Sequence, residues 1–178
     1  MFETYYRFCR VGVDKAHNKK YLKEIITYTF RSGNYYIVEV EVYSYDIYIV
    51  KYYLKKNKRN PLKYNLLTNE HKCAKVISTC IRIMLSIYNK NPNASFGFLG
   101  ANIIDRKNGY EESKNITKRF RVYRTSVVRL FGLETFTHHR DFEHSTYLMI
   151  NNKNKNVDEI KEKARRMFDD LFPELVDD

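Results

Sequence analysis

The stretch that sets the fold class is Lys23–Tyr43, KEIITYTFRSGNYYIVEVEVY. In its second half Tyr36, Val38, Val40 and Val42 alternate with Ile37, Glu39, Glu41 and Tyr43. Successive side chains of a strand point to opposite faces. This period of two therefore puts the valines on a core face and sends the glutamates toward solvent or a neighbouring strand's lysines. Gly33 and Asn34 supply the permissive backbone of a tight connection, so the runs on either side read as a hairpin. Working outward, Ile47–Lys55 (IYIVKYYLK) reads as a third strand after the turn Ser44–Asp46. A basic loop, Lys56–Pro61 (KNKRNP), then leads to a fourth strand, Lys63–Leu67 (KYNLL).

Beyond Thr68 the period changes. Cys73, Val76, Ile77, Cys80, Ile81, Met84, Leu85 and Tyr88 recur at helical spacing between about His71 and Lys90, and Pro92 marks the stop. Ser95–Ile103 (SFGFLGANI) reads as a short strand in which Gly97 and Gly100 permit close backbone approach. A polar, turn-rich stretch at about 105–116 reads as a mobile loop. A helix over Asn115–Gly132, a histidine-bearing loop at Glu134–His144 and a strand at Ser145–Asn151 follow. The closing helix starts at Asn156, an N-cap residue with Glu159 three positions on, and carries the stripe Val157, Ile160, Ala164, Met167, Phe168 and Leu171. The expected architecture is a single α+β domain over residues 1–178: an N-terminal antiparallel sheet of about four strands covered by a central helix, then β-α-β-α.

Composition bounds the partners. The 178 residues carry 32 Lys and Arg against 21 Asp and Glu, a net charge of +11 that attracts nucleic acid, acidic protein surfaces and anionic membranes. Lys, Asn, Tyr, Ile and Phe are abundant, so a coding bias toward A and T also accounts for part of the lysine. No apolar run approaches the roughly 20 residues of a membrane span, and the start lacks the basic-then-apolar order of a signal peptide, which points to a cytoplasmic protein without a membrane partner. The three cysteines, Cys9, Cys73 and Cys80, match neither a metal knuckle nor a disulfide framework and read as reduced thiols filling a core.

The function rests on Asn115–Gly132, NITKRFRVYRTSVVRLFG. At about 100° per residue, Phe120, Tyr123, Val127, Leu130 and Phe131 fall together as an apolar stripe. Lys118, Arg121 and Arg129 gather on the opposite side around Thr125, while Arg119 and Arg124 flank the stripe. A helix docked by the stripe would show a basic ridge, and arginine's planar fork suits bidentate phosphate contact. The same residues would also serve as a solvated face paired to Glu111, Glu112 or the acidic C-terminus. A second basic element is Lys55, Lys56, Lys58 and Arg59. The neighbouring tyrosines, as in Tyr48–Arg59, serve either sheet packing or base stacking.

Catalytic signatures are scarce. His138, His139, Asp141, Glu143 and His144 form the one local cluster able to ligate metal or move protons, but the spacing is not H-E-x-x-H, and adjacent histidines on a strand point to opposite sides. No P-loop, dinucleotide fingerprint or nucleophile elbow is present, and no cofactor is implied. His144-Ser145-Thr146 resembles one half of the paired H-x-T motif of the 2H phosphoesterases, whose second half is absent. The element order with Asn115–Tyr123 resembles the later half of GNAT-type acetyltransferases. That family holds the coenzyme A pyrophosphate with a glycine-rich turn before the central helix, where this chain has Asn69–Lys75 (NEHKCAK).

At Phe96–Asn102 (FGFLGAN) and Thr117–Arg124 (TKRFRVYR) the chain resembles a family of small uncharacterised bacterial proteins frequent on mobile elements. The resemblance implies an α+β fold and no established catalytic residues. The profile is similar to that of phage or plasmid proteins that inhibit host nucleases, anti-CRISPR-like inhibitors of RNA-guided immunity among them. The expectation is a non-enzymatic protein that engages RNA, DNA or a nucleoprotein through Lys118, Arg121, Arg124, Arg129 and the Lys55–Arg59 turn. The alternatives are a metal-assisted nuclease or toxin using His138, His139, Asp141 and His144, and a plain protein-interaction module.

Overall fold

A computed structural model describes residues 4–68 and 71–173. Four antiparallel strands open the chain as a meander: β1 (Phe8–Lys15), β2 (Leu22–Arg31), β3 (Tyr35–Tyr43) and β4 (Ile47–Leu54). Helix α1 (Cys73–Lys90) carries the chain to β5 (Ser95–Leu99), which pairs parallel to β4. A small hairpin of β6 (Ile104–Asp105) and β7 (Tyr110–Glu111) precedes α2 (Lys118–Phe131). Strands β8 (Phe136–Asp141) and β9 (Thr146–Asn151) then form a hairpin that joins β5 through β9, and α3 (Val157–Leu171) follows.

The expected four-stranded sheet under a central helix is thereby corrected. One continuous seven-stranded mixed sheet runs in the order β1-β2-β3-β4-β5-β9-β8, with three helices. Lys63–Leu67 is not its fourth strand; the segment is turn, with a single bridge from Leu66 to Ile104. β1 takes a place that the sequence reading left unassigned. The histidine segment, expected as a loop, is strand β8 at the opposite edge.

Helices cover both faces because the central strands carry apolar residues on both. Tyr36, Val38, Val40 and Val42 of β3 and Val50, Tyr52 and Leu54 of β4 meet Val76, Ile77, Cys80, Ile81 and Met84 of α1 and Phe120, Tyr123 and Val127 of α2. On the other face Tyr43, Ile47 and Ile49 meet Ala164 and Met167 of α3, with Phe168 and Leu171 alongside. The Asn156 side chain makes no cap bond to the α3 backbone and donates to Glu159 Oε2 at 2.9 Å. Of the thiols, Cys80 alone is buried; Cys9 and Cys73 are exposed. Among the described residues no helix is long and apolar enough to cross a membrane.

The glutamates of β3 share the α3 side with Lys51 of β4. Lys51 reaches the Glu41 carboxylate at 2.9 Å, and Glu39 accepts from Tyr53 Oη at 2.9 Å, from Tyr64 Oη and from Lys63. Burial alone would raise the Glu39 pKa, but the Tyr64 and Tyr53 hydroxyls and the Lys63 ammonium outweigh it and hold the carboxyl below its ordinary 4.5. A depressed carboxylate contributes stability that is full above the unfolded pKa and fades as pH falls through the folded one. The stability advantage of the native chain over Glu39→Gln is therefore expected to be largest above pH 4.5 and to shrink below it. Urea unfolding midpoints between pH 7 and pH 3 measure this; a constant gap would remove the charge from the account.

Candidate nucleic-acid interface

Helix α2 is built from its first turn outward. Thr117 Oγ1 accepts from Phe120 N at 3.1 Å and donates to Gly100 O at 2.6 Å, which ties the N-cap to the end of β5. The Glu112 carboxylate accepts from Lys118 N at 2.8 Å, so a negative charge sits at the positive end of the helix dipole. At the other end Gly132, with φ of 69°, closes the helix and returns its N–H to Val128 O at 3.1 Å.

Between these ends Phe120, Tyr123, Ser126 and Val127 are buried, and Lys118, Arg121, Thr125 and Arg129 are exposed on one side. Arg124 is half-buried, its guanidinium 5.7 Å from the Phe142 ring. Arg119, expected at the flank, is instead buried at 6% exposure, its guanidinium donating to Tyr64 O and to Leu66 O at 3.2 Å.

Among the described residues, the ion pairs of lysine and arginine all lie on α3 or on the sheet face beneath it: Lys20 with Asp170, Lys51 with Glu41, Lys63 with Glu39, Lys163 with Glu159, and Arg165 with Glu162 and Asp169. None is formed by Lys118, Arg121 or Arg129. The acidic residues after Pro173, which the sequence offers as partners, lie outside the described residues, as do Asn69 and Glu70 before α1.

Lys55, Lys56, Lys58 and Arg59 are exposed on the turn after β4. Lys55 stands 5.5 Å and Arg31 5.2 Å from the ring of Tyr35, which is half exposed. Arg31 and Tyr35 were not among the residues singled out in the sequence; their signal is their place at the ends of the Arg31–Tyr35 turn. The 60–67 segment that follows the Lys55–Arg59 turn presents the Tyr64 and Leu66 carbonyls to Arg119 of α2.

The histidines do not converge. On β8, His138 faces α2, its ring bonded to Tyr147 Oη at 2.8 Å and Gly132 O at 2.9 Å. His139 faces α3, near Lys161. Burial lowers both pKa values, with Lys161 adding to the effect at His139. His144 Nδ1 meets Asp141 at 2.7 Å, and the same carboxylate accepts the backbone N–H of Glu143 and His144, so this pair closes the β8–β9 turn. Among the described residues no three His, Cys, Asp or Glu side chains come together as metal ligands.

Comparison of the chain with protein-family models, with curated proteins and with solved structures finds no match.

Proposed function

We propose that the chain is a non-enzymatic binding protein that engages RNA, DNA or a nucleoprotein through Lys118, Arg121 and Arg129 of α2, with Arg124 at the margin and the Lys55–Arg59 turn as a second contact. One observation carries the reading: Lys118, Arg121 and Arg129 stand exposed on one side of α2 and no carboxylate among the described residues pairs with any of them, whereas Lys163 and Arg165 of α3 are paired. A lysine and two arginines on one helix face without ion-pair partners attract a polyanion without first breaking protein ion pairs. Engagement of an RNA-guided nuclease is the narrower form of the proposal and rests on the profile of a small, basic chain without catalytic signatures.

Each phosphate neutralised on a single strand adds about 0.7 to the salt slope of binding. Three ridge contacts therefore contribute a slope of about 2, or roughly a 20-fold loss of affinity between 50 and 200 mM salt. Fluorescence anisotropy with a short single-stranded RNA is expected to show this slope reduced by about 2 in the Lys118→Ala, Arg121→Ala, Arg129→Ala triple variant. Equal affinity and slope in the two proteins would reject the ridge as the interface.

A further inference from the structure

The parallel β4–β5 ladder ends at Ile49 and Gly97, although β4 continues to Leu54 along β3 and β5 continues to Leu99 along β9. Past that point the two halves of the sheet part, and a cavity of about 290 Å³ opens at the strands' carboxyl ends. Crevices of this kind, beyond the carboxyl ends of parallel strands, are where open α/β sheets take ligands.

Two buried side chains of α2 line it. Arg119 is 6% exposed and no carboxylate among the described residues pairs with it; two carbonyls and the Tyr52 ring, 5.3 Å away, are its surroundings. A guanidinium withdrawn from water without a counter-charge is costly, so an anion reaching it is stabilised. Tyr123, one turn on, is 2% exposed, and its hydroxyl has no hydrogen-bond partner among the described residues. The Cys80 thiol is its polar neighbour, and no bond of acceptable geometry forms between them. Lys114 and Lys51 also border the cavity, Lys51 already paired to Glu41, and none of the lining residues is acidic.

We infer that this cavity is a binding site for a small organic oxyanion, a carboxylate or a phosphomonoester, with its charged head at Arg119 and Tyr123 and a flat apolar body against Tyr52, Tyr64 and Leu99. The size is that of one ring and its head group, at the lower end of ligand pockets. Lys51, Leu99 and His144 also border a second cavity of about 510 Å³ beneath α3, so the site has room to continue there.

Isothermal titration with phenyl phosphate, benzoate and phenol tests the site on the full chain. Saturable binding of phenyl phosphate or benzoate, and none of phenol, is expected; which anion binds more tightly assigns the head group. Tyr123→Phe removes a hydroxyl that holds nothing in the fold, so it should leave stability unchanged or higher while weakening anion binding about tenfold, the scale of one hydrogen bond to a charged group. Lys114→Glu should weaken binding as well. Arg119→Met, with folding checked by circular dichroism, should abolish it. Absence of binding to the folded native chain overturns the site, as does undiminished binding in both Tyr123→Phe and Lys114→Glu. The α2 ridge triple variant should bind phenyl phosphate as the native chain does; a loss there would move the anion to the ridge and overturn the cavity.

Discussion

Phe98→Ala is expected to cost the fold about 3–5 kcal/mol, the range for deleting a buried phenyl ring, and to lower the melting temperature by roughly 10 °C in a chain of this size. The ring is 2% exposed and lies where β5, β9 and α2 meet. Its centroid is 4.2 Å from that of Tyr123 on α2 and 5.0 Å from that of Tyr147 on β9, both near-parallel, with Phe120 at 6.3 Å. Removing it empties the place where β5, β9 and α2 meet, and rings held on three separate backbones cannot close that space together. Val11→Ala on β1, a site 57% exposed, should change stability by less than about 0.5 kcal/mol. Urea unfolding of the two variants separates the cases. A Phe98→Ala loss under about 1 kcal/mol would mean that the aromatic stack does not hold β5 to α2.

The strands that the sequence revealed are those with packing on both faces. β3 and β4 alternate tyrosine, valine and isoleucine with residues that meet α3 or a partner charge, and their pattern is visible without neighbours. Besides the short β6–β7 hairpin, the two missed strands are the two edges of the seven-stranded sheet. β1, FCRVGVDK, is mostly exposed, and its register shifts between Arg10 and Gly12. β8, FTHHRD, is polar and pairs with β9 alone, and after Phe136 its residues are only half-buried or exposed. Lys63–Leu67 misled in the opposite direction: its tyrosine and leucines suggest a strand, yet Lys63 and Tyr64 serve the Glu39 carboxylate instead. The parallel β4–β5 pairing has no local signature, since it depends on α1 bringing residues more than forty apart into one ladder.

The ridge was legible for the same reason as β3: a fixed period sorts Lys118, Arg121 and Arg129 from Phe120, Tyr123 and Val127. Arg119 shows the limit of that method. The helical projection puts it at the flank of the stripe, although it also stands at i, i+4 and i+8 with Tyr123 and Val127, so spacing alone does not decide between margin and core. What covers it, the carbonyls of Tyr64 and Leu66, comes from a segment more than fifty residues away. The cavity it lines is an outcome of sheet divergence, which a one-dimensional pattern does not encode.

Gly100→Ala tests that junction from its other side, with an expected loss of about 3 kcal/mol. A Cβ at Gly100 would stand 2.6 Å from Phe120 Cβ, 2.7 Å from Thr117 Oγ1 and 2.8 Å from Phe120 Cα. These atoms belong to the first turn of α2, pinned by the Thr117 hydroxyl to Gly100 O at 2.6 Å, so no side-chain rotation relieves the clash and the helix itself must move. Gly97→Ala meets a softer obstacle: Ile49 Cδ1 at 2.6 Å is the far end of a flexible side chain and the Tyr147 carbonyl oxygen at 3.2 Å must give by only a few tenths of an ångström, so about 1–2 kcal/mol is expected. Gly12→Ala, with nothing within 4 Å, should be neutral or stabilise by up to about 1 kcal/mol through the lost freedom of glycine in the unfolded chain. The order Gly100, Gly97, Gly12 in urea midpoints is the measurement, and comparable losses at Gly100 and Gly12 would rule out the close approach of α2 to β5. Displacing α2 also shifts Arg119 and Tyr123, so phenyl phosphate affinity should fall further in Gly100→Ala than in Gly97→Ala.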